Sequence, residues 1–141
     1  MEPVITVITL GVSDLKRSLE FYRDGLHFPI AKSSSDEIAF FLTRGTVLAL
    51  FPRSELAADA TVGGEGSGFK GFTLAHNVAS AEVVDRVLKE VAEAGARIVK
   101  PAQKANWGGY GGYFADPDGF LWEVVFNPFS PLREDGTLAV Q

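Results

Sequence analysis

The chain contains no cysteine, which excludes disulfides, thiolate metal ligands and a cysteine nucleophile. It has only two histidines, His27 and His76, and neither has an acidic partner at a spacing that suggests a Ser-His-Asp arrangement. No apolar run approaches the roughly 20 residues needed to span a bilayer. No basic stretch followed by an apolar run opens the chain, so no signal peptide is read. Lysine and arginine are dispersed and the formal charge is −5, which argues against a phosphate footprint and hence against nucleic acid. These absences lead to the expectation of a soluble, cytoplasmic protein that binds neither nucleic acid nor membrane. At 141 residues, 46% hydrophobic and 22% charged, the chain can form one domain with a real core, or two small modules sharing one.

The most informative stretch is Asn106–Pro128, which holds both tryptophans and two of the three tyrosines. Asp116-Pro117-Asp118-Gly119 is turn chemistry: proline pre-sets φ and glycine supplies the permissive last position. Apolar residues flank it on both sides, so the pattern predicts a β-hairpin returning along Phe120–Phe126. Alternation then places Glu123 on one face with Leu121 and Val125, and turns Trp122, Val124 and Phe126 to the other, toward helices and core. A carboxylate within so apolar a strand must be solvated, paired or protonated.

The rest of the chain is read in the same way. Val4–Val12 is rich in β-branched residues and predicts a strand. Ser13 or Asp14 caps a helix whose apolar face is Leu15, Leu19 and Tyr22, stopped at Gly25. Leu26–Ala31, Glu37–Thr43 and Thr46–Phe51 read as strands. Ser54–Lys70 reads as a flexible linker. Its Gly66, Gly68 and Gly71 fit G-x-G-x-x-G only formally, because a dinucleotide fingerprint follows a strand and opens a helix. Gly71–Val78 predicts a strand. Ser80 then caps a helix over Ala81–Ala94 with Val84, Val87, Leu88 and Val91 as its buried stripe. Arg97–Lys100 is a short strand ended by Pro101, and the hairpin follows.

The chain therefore repeats a β-α-β-β-β unit, with module one at 4–53, a linker at 54–70, module two at 71–128 and a tail at 129–141. Leu48-Ala49-Leu50 takes the place of Trp122-Glu123-Val124. Such halves pair because neither buries its sheet alone. The expected fold is α+β, with two curved mixed sheets around a cleft and helices on their outer faces.

Leu10-Gly11-Val12-Ser13-Asp14-Leu15 with Ser18, Phe21-Tyr22 and Leu26, and Tyr113-Phe114-Ala115-Asp116-Pro117-Asp118-Gly119 with Glu123, resemble the vicinal oxygen chelate superfamily. That group includes glyoxalases, extradiol dioxygenases, fosfomycin-resistance transferases and bleomycin-binding proteins. The resemblance spans about Val4 to Pro128 and implies a homodimer. Metal enzymes of the group hold a divalent ion with ligands from the first and last strands of each half. By position these places are Val7, Ala49, Phe72 and Glu123, and of the four only Glu123 has a donor atom. No metal and no cofactor is expected, since one carboxylate is not a transition-metal site.

The residues thus suggest a metal-independent protein that holds an aromatic or apolar small molecule in a cleft. Val7, Ala49, Phe72, Trp107, Tyr110 and Tyr113 would line it and Glu123 would orient the ligand. Gly108, Gly109, Gly111 and Gly112 let backbone approach a ligand there. The alternative is a lyase, isomerase or dioxygenase-like enzyme, with an unusual metal site or with Glu123 and His76 as a metal-free acid–base pair. Whether a reaction is catalysed stays open at this point. For Glu123 the bland reading is a carboxylate bonded to Trp107, a tyrosine hydroxyl or water. For His76 it is a strand-end histidine, for the aromatics a sheet-edge core, and for Arg44 and Arg53 solvated strand-end charges.

Overall fold

The structure is a computed structural model that describes residues 1, 3, 5–70 and 72–139. The expected starts of two strands, Val4 and Gly71, and the tail residues Val140 and Gln141 lie outside the described residues. The chain divides into two compact units, Met1–Gly68 and Phe69–Gln141. Among the described residues no helix is long and apolar enough to cross a membrane.

In the first unit, strand β1 (Val7–Val12) leads into helix α1 (Leu15–Leu19). Asp14 caps the helix, its carboxylate accepting from the Arg17 N–H at 3.0 Å. The helix widens into a π-helical turn, Glu20–Gly25, which buries Phe21 and Tyr22. Strands β2 (Ala39–Leu42) and β3 (Val47–Pro52) follow, and the sheet order is β1-β3-β2. β3 runs parallel to β1 and antiparallel to β2. Leu10, Leu48, Leu50 and Phe41 are buried on the side of Tyr22, whose ring lies 5.9 Å from that of Phe41.

Two expectations for this unit are corrected. The strand read at Leu26–Ala31 shrinks to one bridge, Ile30 to Phe41. His27 takes a left-handed φ of 60° there, which breaks an extended path. The linker read at Ser54–Lys70 is in part helical: helix α2 (Arg53–Asp59) opens it, rich in the good helix formers Leu and Ala. Among the described residues helix α2, not a strand, is the element directly before Gly66 and Gly68, so the dinucleotide context is not met.

In the second unit, β4 (Leu74–Asn77) leads into helix α3 (Ala81–Glu93), capped by Ser80 and burying Val84, Leu88 and Val91. Strands β5 (Arg97–Lys104), β6 (Tyr110–Ala115) and β7 (Leu121–Phe126) complete a sheet of order β4-β7-β6-β5. The Asp116–Gly119 turn forms as expected. The Asp116 carboxylate accepts from the Asp118 and Phe120 N–H groups at 2.9 and 2.8 Å, and Gly119 takes φ 83°. Pro101 does not end β5. The strand continues to Lys104, with register shifts between Ile98 and Lys100 and between Lys100 and Gln103. A proline is tolerated there because β5 is an edge strand with bulges.

Candidate functional site

The pairing register of the second sheet decides which side chains share a face. Gly112 pairs with Val124, and a Cβ on Gly112 would lie 2.8 Å from the Leu88 side chain of α3. Val124 and Gly112 therefore face the helix. Phe114 and Trp122, paired and stacked with ring centroids 6.0 Å apart, share that side, as alternation predicts for Trp122.

The opposite face, open in the sense that α3 lies on the other side although Val125 and Ala115 are buried on it, carries a row across all four strands. Ala75 pairs with Glu123, Glu123 with Tyr113, and Tyr113 with Lys100. Tyr113 and Glu123 are direct cross-strand neighbours on this face. Burial raises the Tyr113 pKa above its usual value, and the nearby Glu123 charge pushes it the same way. Tyr113 thus stays a neutral phenol beside the carboxylate. Lys100 holds its ammonium 5.9 Å from the centre of the Tyr113 ring, within cation–π range. Both Glu123 and Tyr113 are half-buried, so the pair remains within reach of a ligand.

The other expected site residues are placed differently. His76 pairs with Val124, so it lies on the helix side of the sheet and not beside Glu123. Its side chain is exposed enough to meet solvent, yet partial desolvation lowers its pKa below the ordinary histidine value. Tyr110 also belongs to the helix side, where its hydroxyl donates to Asp85 Oδ1 of α3 at 2.8 Å. That hydrogen bond raises the Tyr110 pKa. Trp107 sits in the β5–β6 turn with its indole over Gly109, where a Cβ would overlap the ring. It remains 48% exposed. Phe72 is 43% exposed and its ring lies 5.9 Å from Phe120.

Val7 and Ala49 belong to the first unit. Val7 is 45% exposed and Ala49 is fully buried. Arg53, weighed as an anion partner, is clasped by its own loop, donating from Nε to the Gly64 carbonyl at 2.6 Å.

The two sheets also sharpen the positional correspondence. The offset that carries the cap Asp14 to the cap Ser80 carries Ile8 to Leu74 and Thr9 to Ala75. It carries Val7 to Thr73, one residue beyond Phe72. A threonine hydroxyl is a weak donor, and among the described residues no group of three or more His, Asp or Glu could hold a metal ion. The donor set around Glu123 therefore does not fit a divalent-metal site of the usual oxygen and imidazole kind.

Sequence reasoning under-weighted Tyr113 and missed Lys100. The first was recoverable by counting outward from the Asp116–Gly119 turn, which sets Tyr113 opposite Glu123. The second depends on the bulges in β5, which alternation does not foretell.

Comparison with known proteins gives a consistent picture. The sequence profile of the Glyoxalase/Bleomycin resistance protein/Dioxygenase superfamily matches residues 4–124. The chain is 32% identical to the uncharacterized protein YraH of Bacillus subtilis over 122 residues, 83% of this chain and 93% of that one. A crystal structure of a glyoxalase-related enzyme from Fulvimarina pelagi superposes with a TM-score of 0.89 at 36% identity, covering 98% of each chain. Lactoylglutathione lyase from Agrobacterium tumefaciens shares the fold at 21% identity, with a TM-score of 0.69 over 92% of this chain and 97% of that one.

Proposed function

The chain belongs to the Glyoxalase/Bleomycin resistance protein/Dioxygenase superfamily, and from that premise we propose that it is a metal-independent small-molecule-binding protein. Its ligand is an aromatic or otherwise apolar molecule that offers a hydrogen-bond donor to Glu123. The observation that carries this reading is the Tyr113–Glu123 pair on the open face of the second sheet. A carboxylate beside a neutral phenol keeps its lone pairs for a ligand, and the partial burial of both groups strengthens the bond it makes. Val7, Ala49 and Thr73 supply no imidazole or carboxylate at the places where metal-binding relatives would need one. The protein as a cytoplasmic homodimer is part of the same proposal.

The test is a thermal-shift screen with aromatic amines and phenols, together with elemental analysis of the purified protein. Stabilisation that rises with ligand concentration supports the reading, provided Glu123→Ala abolishes it. Stoichiometric iron, manganese, nickel or zinc would overturn metal independence.

A catalytic reading has support in the glyoxalase-related enzyme that the chain resembles at 36% identity. In that case Glu123 would accept a proton with Tyr113 as its cross-strand neighbour. The register gives no support to His76 as the second member of such a pair, because it projects from the other face.

A further inference from the structure

We infer that the ligand is bipolar: a donor or cationic nitrogen at one end meets Glu123, an anionic group at the other meets Lys100, and an apolar body lies over Tyr113. This rests on the reading above that the open face of the second sheet is the binding site.

The argument starts from β5. Simple alternation from Ile98, which pairs with Phe114 on the helix side, would turn Lys100 toward Leu88 and bury its ammonium. The shift between Ile98 and Lys100 prevents this and sets Lys100 opposite Tyr113 instead. A bulge that re-aims one side chain in this way is a built feature of a strand. The second shift sets Gln103 opposite Gly111, so Arg97, Lys100 and Gln103 all pair with open-face residues of β6.

The result is a track of three strands. Glu123 stands on β7, the Tyr113 ring on β6 and the Lys100 ammonium on β5. Neighbouring strands lie about 4.8 Å apart, so the backbones of Glu123 and Lys100 are about 10 Å apart across the tyrosine. A molecule with the opposite charges in the reverse order satisfies both ends at once. A molecule with one polar end leaves the other charge facing an apolar body, which costs binding. Lys100 is exposed, so its contribution is orientation and selectivity more than raw affinity.

Three matched probes test this by calorimetric titration of the full chain: 4-(aminomethyl)phenylacetic acid, 4-methylbenzylamine and 4-methylphenylacetic acid. The two-ended compound should bind about two- to fivefold more tightly than either one-ended compound. Lys100→Ala should remove its advantage over the amine, and Lys100→Glu should reverse the order. If the two-ended compound binds no better than the amine while Glu123→Gln still weakens the amine, the bipolar inference falls and the site reading stands. If no probe binds, or Glu123→Gln changes nothing, the site reading falls and the inference with it.

Discussion

The central strands of the two units have the same neighbours and different contents. β3 lies between parallel β1 and antiparallel β2, and β7 lies between parallel β4 and antiparallel β6. The matching rows are Thr9–Ala49–Phe40 in the first unit and Ala75–Glu123–Tyr113 in the second. In the first, the middle residue is an alanine with no exposed surface. In the second, it is a half-buried carboxylate that stands opposite a phenol. One topology thus supports a row centred on a buried alanine and a row centred on a half-buried carboxylate. The difference lies in a few side chains whose partners stand one strand away. A repeated fold keeps its backbone pairing as scaffold and lets one copy carry the chemistry.

That contrast can be broken most severely by moving the acid. Ala49→Glu places a carboxylate in a fully buried position opposite Phe40, with no phenol to meet it. It should cost about 3–5 kcal/mol, since an uncompensated buried charge is strongly destabilising. The shift in the urea midpoint measures it, and a loss below about 1 kcal/mol would mean that a side chain at position 49 reaches solvent.

The polar row is sharpened by a double-mutant cycle on Tyr113→Phe and Glu123→Gln. A coupling of about 0.5–1 kcal/mol is expected, at the modest end because both groups are partly solvated. Additive effects would show that the two side chains act independently.

The smallest effect concerns His76. Its folded-state pKa lies below the ordinary 6.5, through desolvation. The unfolded chain therefore binds the proton more readily. The stability tied to the neutral ring is present above pH 6.5 and is lost as pH falls through the folded-state value. An NMR titration of the imidazole should give a midpoint under 6.5, and His76→Gln should flatten this part of the pH–stability curve. A midpoint above 6.5 would mean that the ring gains an acidic neighbour.

The fold was legible where local chemistry and periodicity agreed. Asp14 and Ser80 announce their helices, Asp116–Gly119 its turn, and the alternation of Phe120–Phe126 the burial of Val124. The same rules failed where tertiary context overrode them. Leu26–Ala31 has a strand's composition, but the left-handed residue at His27 leaves only a bridge. Pro101 reads as a terminator, yet an edge position tolerates it. The site was half legible for a related reason. Glu123 stands out as a charge in an apolar strand, whereas its neighbours depend on register. Register placed Tyr113 beside it, sent Tyr110 and His76 to the other side, and brought in Lys100 through a bulge that no periodicity encodes.

The kinked β5 has one more effect. Its outer rim lacks the amide hydrogen of Pro101 and bends at two points, so an incoming strand from another molecule meets no continuous ladder. Edge-to-edge pairing along that side is thereby disfavoured.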